Sequence, residues 1–264
     1  MTKVLCITRI VWLDMLRRKD VYVLLILLGA LLTALVSLNI FGLGGLVVYV
    51  KDVGLLATWG FGWILAVHIA CRCLPQEEQR GTIYALLAKP VTRLQLVVGK
   101  WLGAWSVTCA ATLAFYALLT AMVVFQGGTA ALDGAVLIQG VLLHGAVLAI
   151  LCALGLLFST RMHQDAAATL TYVLSFAAFI ILPRMPGLMA RASGWHGTLV
   201  SIVYHLLPHF EIFDMRKRMV HDWGAVNGAT FLTVLLYGAV YTALLLAIAW
   251  LAFRKKRFSR ENLA

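Results

Sequence analysis

The chain predicts an all-α, polytopic membrane protein, and composition, apolar run length and charge placement predict it together. Of its 264 residues, 62% are hydrophobic and 12% charged, and the mean hydropathy is +0.92. A soluble domain of this size does not carry that balance. A helix crossing the hydrocarbon core needs about 20 mainly apolar residues. Six segments approach or exceed that length: Val21–Leu43, Val53–Cys71, Leu94–Phe125, Gly134–Phe158, Ala166–Pro183 and Ala225–Phe253. Only Lys100, near one end of the third, interrupts them with Asp, Glu, Lys or Arg. The runs are too long and unbroken for barrel strands, and lipid offers open backbone groups no partner, so helices are expected.

The first twenty residues, 1–20, are expected to form an interfacial helix. Val4, Leu5, Thr8, Val11, Trp12, Met15 and Leu16 share one half of a helical wheel, with Lys3, Arg9, Asp14, Arg17 and Arg18 opposite. Ile7, Ile10 and Leu13 fall on the polar half and weaken the pattern. A basic helix with a Trp suits a membrane interface. Arg17, Arg18, Lys19 and Asp20 then form the elbow into the first span. That span is too long for a signal-peptide core, and no small-x-small cleavage site follows it, so retention as an anchor is expected.

Orientation follows from the cations. Lys3, Arg9, Arg17, Arg18 and Lys19, those between Arg72 and Lys100, Arg161, and the tail Arg254, Lys255, Lys256, Arg257 and Arg260 all fall on one side. The other side has Lys51 and the cations of segment 184–224. The excess places both termini in the cytoplasm. The net charge of +11 is met by anionic lipid headgroups, so no nucleic acid is expected as a partner. The five cysteines, Cys6, Cys71, Cys73, Cys109 and Cys152, avoid the outer segments and predict no disulfide framework.

Between Pro75 and Lys100 the oily chain turns polar: PQEEQRGTIYALLAKPVTRLQLVVGK. Pro75 ends the helix of the second span or starts a new one, and Glu77 and Glu78 then occupy the first turn, where the helix dipole favours acids. Beyond Gly81, Ile83, Leu86 and Leu87 recur at i, i+3 and i+4, giving a short helix an apolar stripe while Arg80 and Lys89 stay wet. Lys89-Pro90 closes it, and Thr92 caps the next helix. A short amphipathic helix parallel to the membrane is expected.

These residues carry a resemblance. Glu78-x-Arg80-Gly81-Thr82-x3-Leu86-Leu87-Ala88-Lys89-Pro90-Val91-x-Arg93, followed by Gly99-Lys100-x2-Gly103, resembles the permease subunit of type-2 ABC exporters. The motif covers about 30 residues, and the architecture of six spans with cytoplasmic ends fits the whole chain. The resemblance implies a single permease domain over 1–264. Within it, 1–20 is the elbow, 75–93 the cytoplasmic coupling-helix loop, 184–224 the extracytoplasmic segment and 254–264 a basic tail. It implies that the coupling helix rests in a groove of a separate ABC ATPase. Glu77, Glu78, Arg80, Gly81, Thr82, Ile83, Leu86, Leu87, Lys89, Pro90 and Arg93 are then the ATPase-coupling residues. The expected assembly has two ATPase copies and a second permease, identical or related, in the bacterial inner membrane. No cofactor is expected on this chain; ATP and magnesium belong to the ATPase, since the phosphate-binding GxxxxGK[ST] string is absent.

Other readings weigh less. The segment 184–224 gathers His196, His205, His209 and His221 with Met185, Met189, Met215 and Met219, and His with Met can bind copper. Pro208 interrupts the His205/His209 spacing, however, and interfacial packing with Trp195, Tyr204 and Trp223 is the expected role. Cys71 and Cys73 would point apart on a helix, and His68 and His144 are expected as hydrogen-bonded packing groups. Neither HExxH nor GxSxG occurs, so no enzyme is predicted. The spans lack the ionisable groups of a secondary transporter. Use of the same motion on an extracytoplasmic partner through 184–224 stays open as an alternative, and the substrate is unknown.

Overall fold

The computed structural model describes residues 2–17, 19–37, 46–81, 91–127, 133–189 and 195–256, and among these the chain is all helical, with no strand. The elements are α1 (Thr2–Leu16), α2 (Asp20–Ser37), α3 (Leu46–Arg72), α4 (Pro75–Gln79), α5 (Arg93–Gly127), α6 (Gly134–Ser159) and α7 (Gln164–Ile181). A 3-10 turn, Leu182–Arg184, leads into α8 (Met185–Met189) and α9 (Trp195–Leu206). A second, Phe210–Phe213, precedes α10 (Arg216–His221) and α11 (Gly228–Arg254).

Five helices are long and apolar enough to cross a membrane: Val47–Gln79, Arg93–Phe125, Gly134–Ser159, Gln164–Gly187 and Gly228–Arg254. The apolar part of α2, Tyr22–Ala34, is shorter. The remainder of the first expected span, from 38 to 43, lies outside the described residues. The chain is therefore a multi-pass membrane protein with at least these five apolar helices. α5 has 35 residues, about 52 Å at 1.5 Å per residue, well beyond the ~30 Å hydrocarbon core. It must tilt or project from the bilayer.

The core is shared by α3, α5 and α6, where Leu65, Ile69, Phe115, Leu148 and Leu151 are fully enclosed. Small residues set the close approaches, as expected where lipid removes the hydrophobic drive between helices. On α7 the buried stripe is Ala167, Thr171, Ser175 and Ala178, and it faces α3. There Trp63 Nε1 donates to Ser175 Oγ at 3.0 Å, and Tyr172 donates to the Ile64 carbonyl at 3.2 Å. Gly62 leaves room for His144, whose ring is 3.0 Å from where a Cβ would stand. His144 stacks on Trp59 at 4.6 Å and lies 3.3 Å from the Tyr116 hydroxyl. α11 is the most peripheral span, with 17% of its apolar window buried against 61% for α6.

α1 differs from the expected pattern. Its buried residues are Ile7, Val11 and Met15, spaced i, i+4 and i+8, so Ile7, assigned to the polar half by the wheel, belongs to the core. The reason lies in α5. Gly99 and Gly103 form notches in which a Cβ would come within 2.9 Å of Ile7 and 2.6 Å of Val11. Thr8 Oγ1 donates to the Gly99 carbonyl at 3.2 Å, and Trp12 Nε1 to Ser106 Oγ at 2.8 Å. Successive turns of α1 thus meet successive turns of α5, and α1 runs alongside that helix.

At the end of the bundle away from the basic tail, the segment from Phe210 to His221 folds down between the helices. Phe210 and Phe213 are fully buried, and Met215, Met219 and Val220 nearly so. Phe213 fills the space beside Gly238 and Met219 that beside Gly140. Arg216 lies over Trp59 at 5.2 Å and Phe179 at 5.7 Å while pairing with Asp214 at 2.7 Å. Lys51 of α3, its side chain 4% exposed, reaches Asp222 at 3.1 Å.

Candidate functional site

The polar stretch that breaks the hydropathy pattern sits at the basic end, which carries the tail Arg254–Lys256. Pro75 starts α4, with Glu77 and Glu78 in its first turn, as the dipole argument requires. The Arg80 N–H closes the turn on the Gln76 carbonyl at 3.0 Å. Gly81 follows at φ 67°, a left-handed conformation that a residue without Cβ adopts at little cost.

Both acids are engaged within the chain. Glu77 meets Lys100 of α5 at 2.7 Å, with side chains 17% and 5% exposed. Glu78 meets Lys256, just beyond α11, at 2.6 Å. Lys100 is the cation that stood alone in an apolar run, and its partner comes from the polar loop. Desolvation makes such a buried pair weak evidence for stability, but removing one partner leaves a stranded charge. Arg80 is more exposed and approaches Asp14 of α1 at 3.9 Å. Arg72 is buried, with its guanidinium 2.8 Å from His68 Nε2 and 3.8 Å from Met15 Sδ. A cleft of about 90 Å³ lined by Asp14, Arg72, Glu77, Arg80 and Lys100 marks where α1, α3, α4 and α5 meet.

The chain re-enters the described region at Val91. Thr92 and Gln95 form a reciprocal cap: Gln95 N–H donates to Thr92 Oγ1 at 3.2 Å and Thr92 N–H to Gln95 Oε1 at 3.0 Å. This capping box satisfies two N-terminal donors of α5. Arg93 then reaches across to α11. Its Nη1 donates to the carbonyls of Phe253 and Arg254 at 2.8 Å and of Lys256 at 3.0 Å, and its guanidinium lies 5.8 Å above the Phe253 ring. A cation on the last carbonyls of a helix satisfies orphan acceptors and complements the dipole. Arg161 adds a bond to the Ala252 carbonyl at 3.0 Å.

The structure therefore brings Glu77, Glu78, Arg80 and Gly81 to one side of the polar loop and Arg93 to the other. Thr82, Ile83, Leu86, Leu87, Lys89 and Pro90, with the expected amphipathic helix, lie outside the described residues. Sequence reasoning missed Lys256 and Asp14 as partners, and no spacing rule relates residues 178 positions apart. The lone Lys100 was the legible signal, since a charge in an apolar helix demands a partner. The described part of the loop is a short polar segment whose base is tied at once to α5 and to the residues just beyond α11.

None of the curated proteins compared with the chain matches it significantly. The family model for "ABC-2 family transporter protein" matches residues 12–258, nearly the whole length, and the chain accordingly belongs to the ABC-2 family of transporter proteins.

Proposed function

We propose that this protein is the membrane-spanning permease subunit of an ATP-driven ABC exporter, with six spans, both termini cytoplasmic and 75–93 as its coupling loop. The family is generally a non-catalytic membrane component working with an ABC ATPase. In the reading offered here, two copies of a separate ATPase hold ATP and magnesium. Two permeases, identical or related, complete the assembly in the bacterial inner membrane, with 1–20 as the elbow, 184–224 outside and 254–264 as the basic tail. Thr82, Ile83, Leu86, Leu87, Lys89 and Pro90 face the ATPase groove. Glu77, Glu78 and Arg93 act behind them, transmitting the groove's movement into α5 and α11.

The observation that carries this reading is the double tether of the loop base, Glu77 to Lys100 and Glu78 to Lys256, at 2.7 and 2.6 Å. A displacement of the loop cannot leave those helices unmoved without breaking desolvated pairs. The test is co-purification of the chain with its ATPase, followed by hydrolysis and transport in proteoliposomes. Glu78→Lys is expected to uncouple hydrolysis from transport, and the charge swap with Lys256→Glu to restore most of it. A swap that restores nothing would move Glu78 to the ATPase contact. Transport by this chain alone, driven by an ion gradient, would overturn the proposal.

A further inference from the structure

A groove of about 630 Å³ runs down the bundle between α5 and α11, floored by α6. Trp101 and Trp105 of α5 form one wall, their rings stacked at 5.4 Å and 6°. Their indole N–H groups are turned to the floor, donating to the Ala149 carbonyl at 3.1 Å and the Gly145 carbonyl at 2.9 Å. The floor is shallow because Gly145 and Ala149 carry almost no side chain, and Ala239 and Ala243 keep the α11 wall low. With the indole donors already satisfied, the groove suits an apolar occupant. It lies within three apolar helices of membrane-spanning length, so the adjoining medium is lipid.

Its foot is cationic. Ala243, Trp250 and Arg254 are spaced i, i+7 and i+11, which returns them to one side of α11. The Arg254 guanidinium lies over the Trp250 ring at 5.9 Å, and Arg254 and Lys255 are exposed. Arg93 and Arg161 crowd the same helix end through its carbonyls. An apolar channel ending in clustered cations at one membrane surface complements an acid-headed, apolar-tailed molecule. It does not suit a symmetric second copy, because a two-fold contact along this line would set Arg254 and Lys255 against the same cations of the mate.

We propose that this groove binds an acidic phospholipid of the leaflet at the basic end, an acyl chain lying along Trp101, Trp105 and Ala243 and the phosphate held by Arg254 and Lys255. Only the naming of that leaflet as the cytoplasmic one rests on the orientation proposed above. The site itself does not depend on ATP coupling.

The test uses the full chain in mixed phosphatidylcholine and phosphatidylglycerol nanodiscs, prepared in two sets in which one lipid or the other carries a photoactivatable acyl chain, and maps adducts by mass spectrometry. Adducts are expected on the groove segments of α5 and α11. Ala243→Phe, at an exposed position, fills the groove and is expected to lower them at least about fivefold, a change of the order of one lost headgroup cation. Arg254→Gln with Lys255→Gln should leave phosphatidylcholine labelling intact while lowering the preference for phosphatidylglycerol about fivefold per cation. Because no ATPase is present, failure here leaves the coupling proposal standing. Adducts unchanged in both variants would overturn the site. So would an Ala243→Cys variant that forms a disulfide with its mate in place of lipid labelling, which would make the groove a contact between copies.

Discussion

The two ends of the bundle solve the same problem, holding charge at the edge of an apolar protein, in different ways. At the basic end each acid of α4 is closed on a lysine from another part of the bundle, Glu77 on Lys100 of α5 and Glu78 on Lys256 just beyond α11, with both partners of each pair mainly buried. At the opposite end the pairing is lopsided. Lys51 is 4% exposed but its partner Asp222 is 63% exposed, and Arg216 is held by Asp214 and by the rings of Trp59 and Phe179. The basic end is thus braced between helices, whereas the other end is capped by one segment, Phe210–His221, anchored by Phe210, Phe213 and Met219. Local stability follows the density of buried contacts, so the two ends are expected to open at different free energies.

The largest effect should come from stranding the enclosed charge of the brace. Glu77→Ala leaves Lys100 without its carboxylate and should cost about 3–5 kcal/mol, measured by chemical denaturation in detergent. Adding Lys100→Met should recover much of that loss, and no recovery would mean that Glu77 acts through another contact. Next is the α1–α5 seam. Gly103→Leu forces Val11 out of its notch and should cost about 1–3 kcal/mol by overpacking, with increased hydrogen exchange in α1 and little change in α10. At the cap, Asp222→Asn should cost only about 1 kcal/mol because the aspartate is largely in water. A cost matching Glu77→Ala would erase the distinction between the ends.

The smallest effect is a pH dependence confined to the cap. His209 packs on Tyr204 at 4.5 Å and shares hydrogen bonds with the Tyr237 hydroxyl at 3.2 Å. Burial holds its pKa below the ordinary value; Glu211 opposes that shift and His205 adds to it. The unfolded segment takes up a proton first, so the stabilisation is complete above about pH 6.5 and is lost as pH falls through the lowered folded value. Hydrogen exchange of the 207–215 segment should therefore quicken between pH 7 and pH 5 while α5 near Lys100 stays unchanged. Equal quickening at both ends would assign the effect to the whole bundle.

Much of this was legible in the chain. Unbroken apolar runs fixed the helical, membrane-spanning class, because only a closed hydrogen-bond ladder survives in lipid. Local chemistry also marked Pro75 as a helix boundary and gave the acids of a first turn and the Thr92 cap of α5, since each involves groups within a few residues; that α4 starts at Pro75 came from the structure. The wheel failed at Ile7, because which face of α1 is buried depends on two glycine notches nearly a hundred residues away. Helix patterns also left the partner of Lys100 open, because that carboxylate comes from another element.

By itself, then, the sequence determined the membrane class, the place of the polar interruption and, through its motif, the family. Periodicity, length and capping act over one to a few turns and can be read along the chain. Tertiary structure alone decided that Glu78 closes on Lys256, that Arg93 caps α11, and that Phe210–His221 folds into the opposite mouth. Those choices depend on which helices stand side by side, and burial permits a charge only where a counter-charge has been brought to meet it.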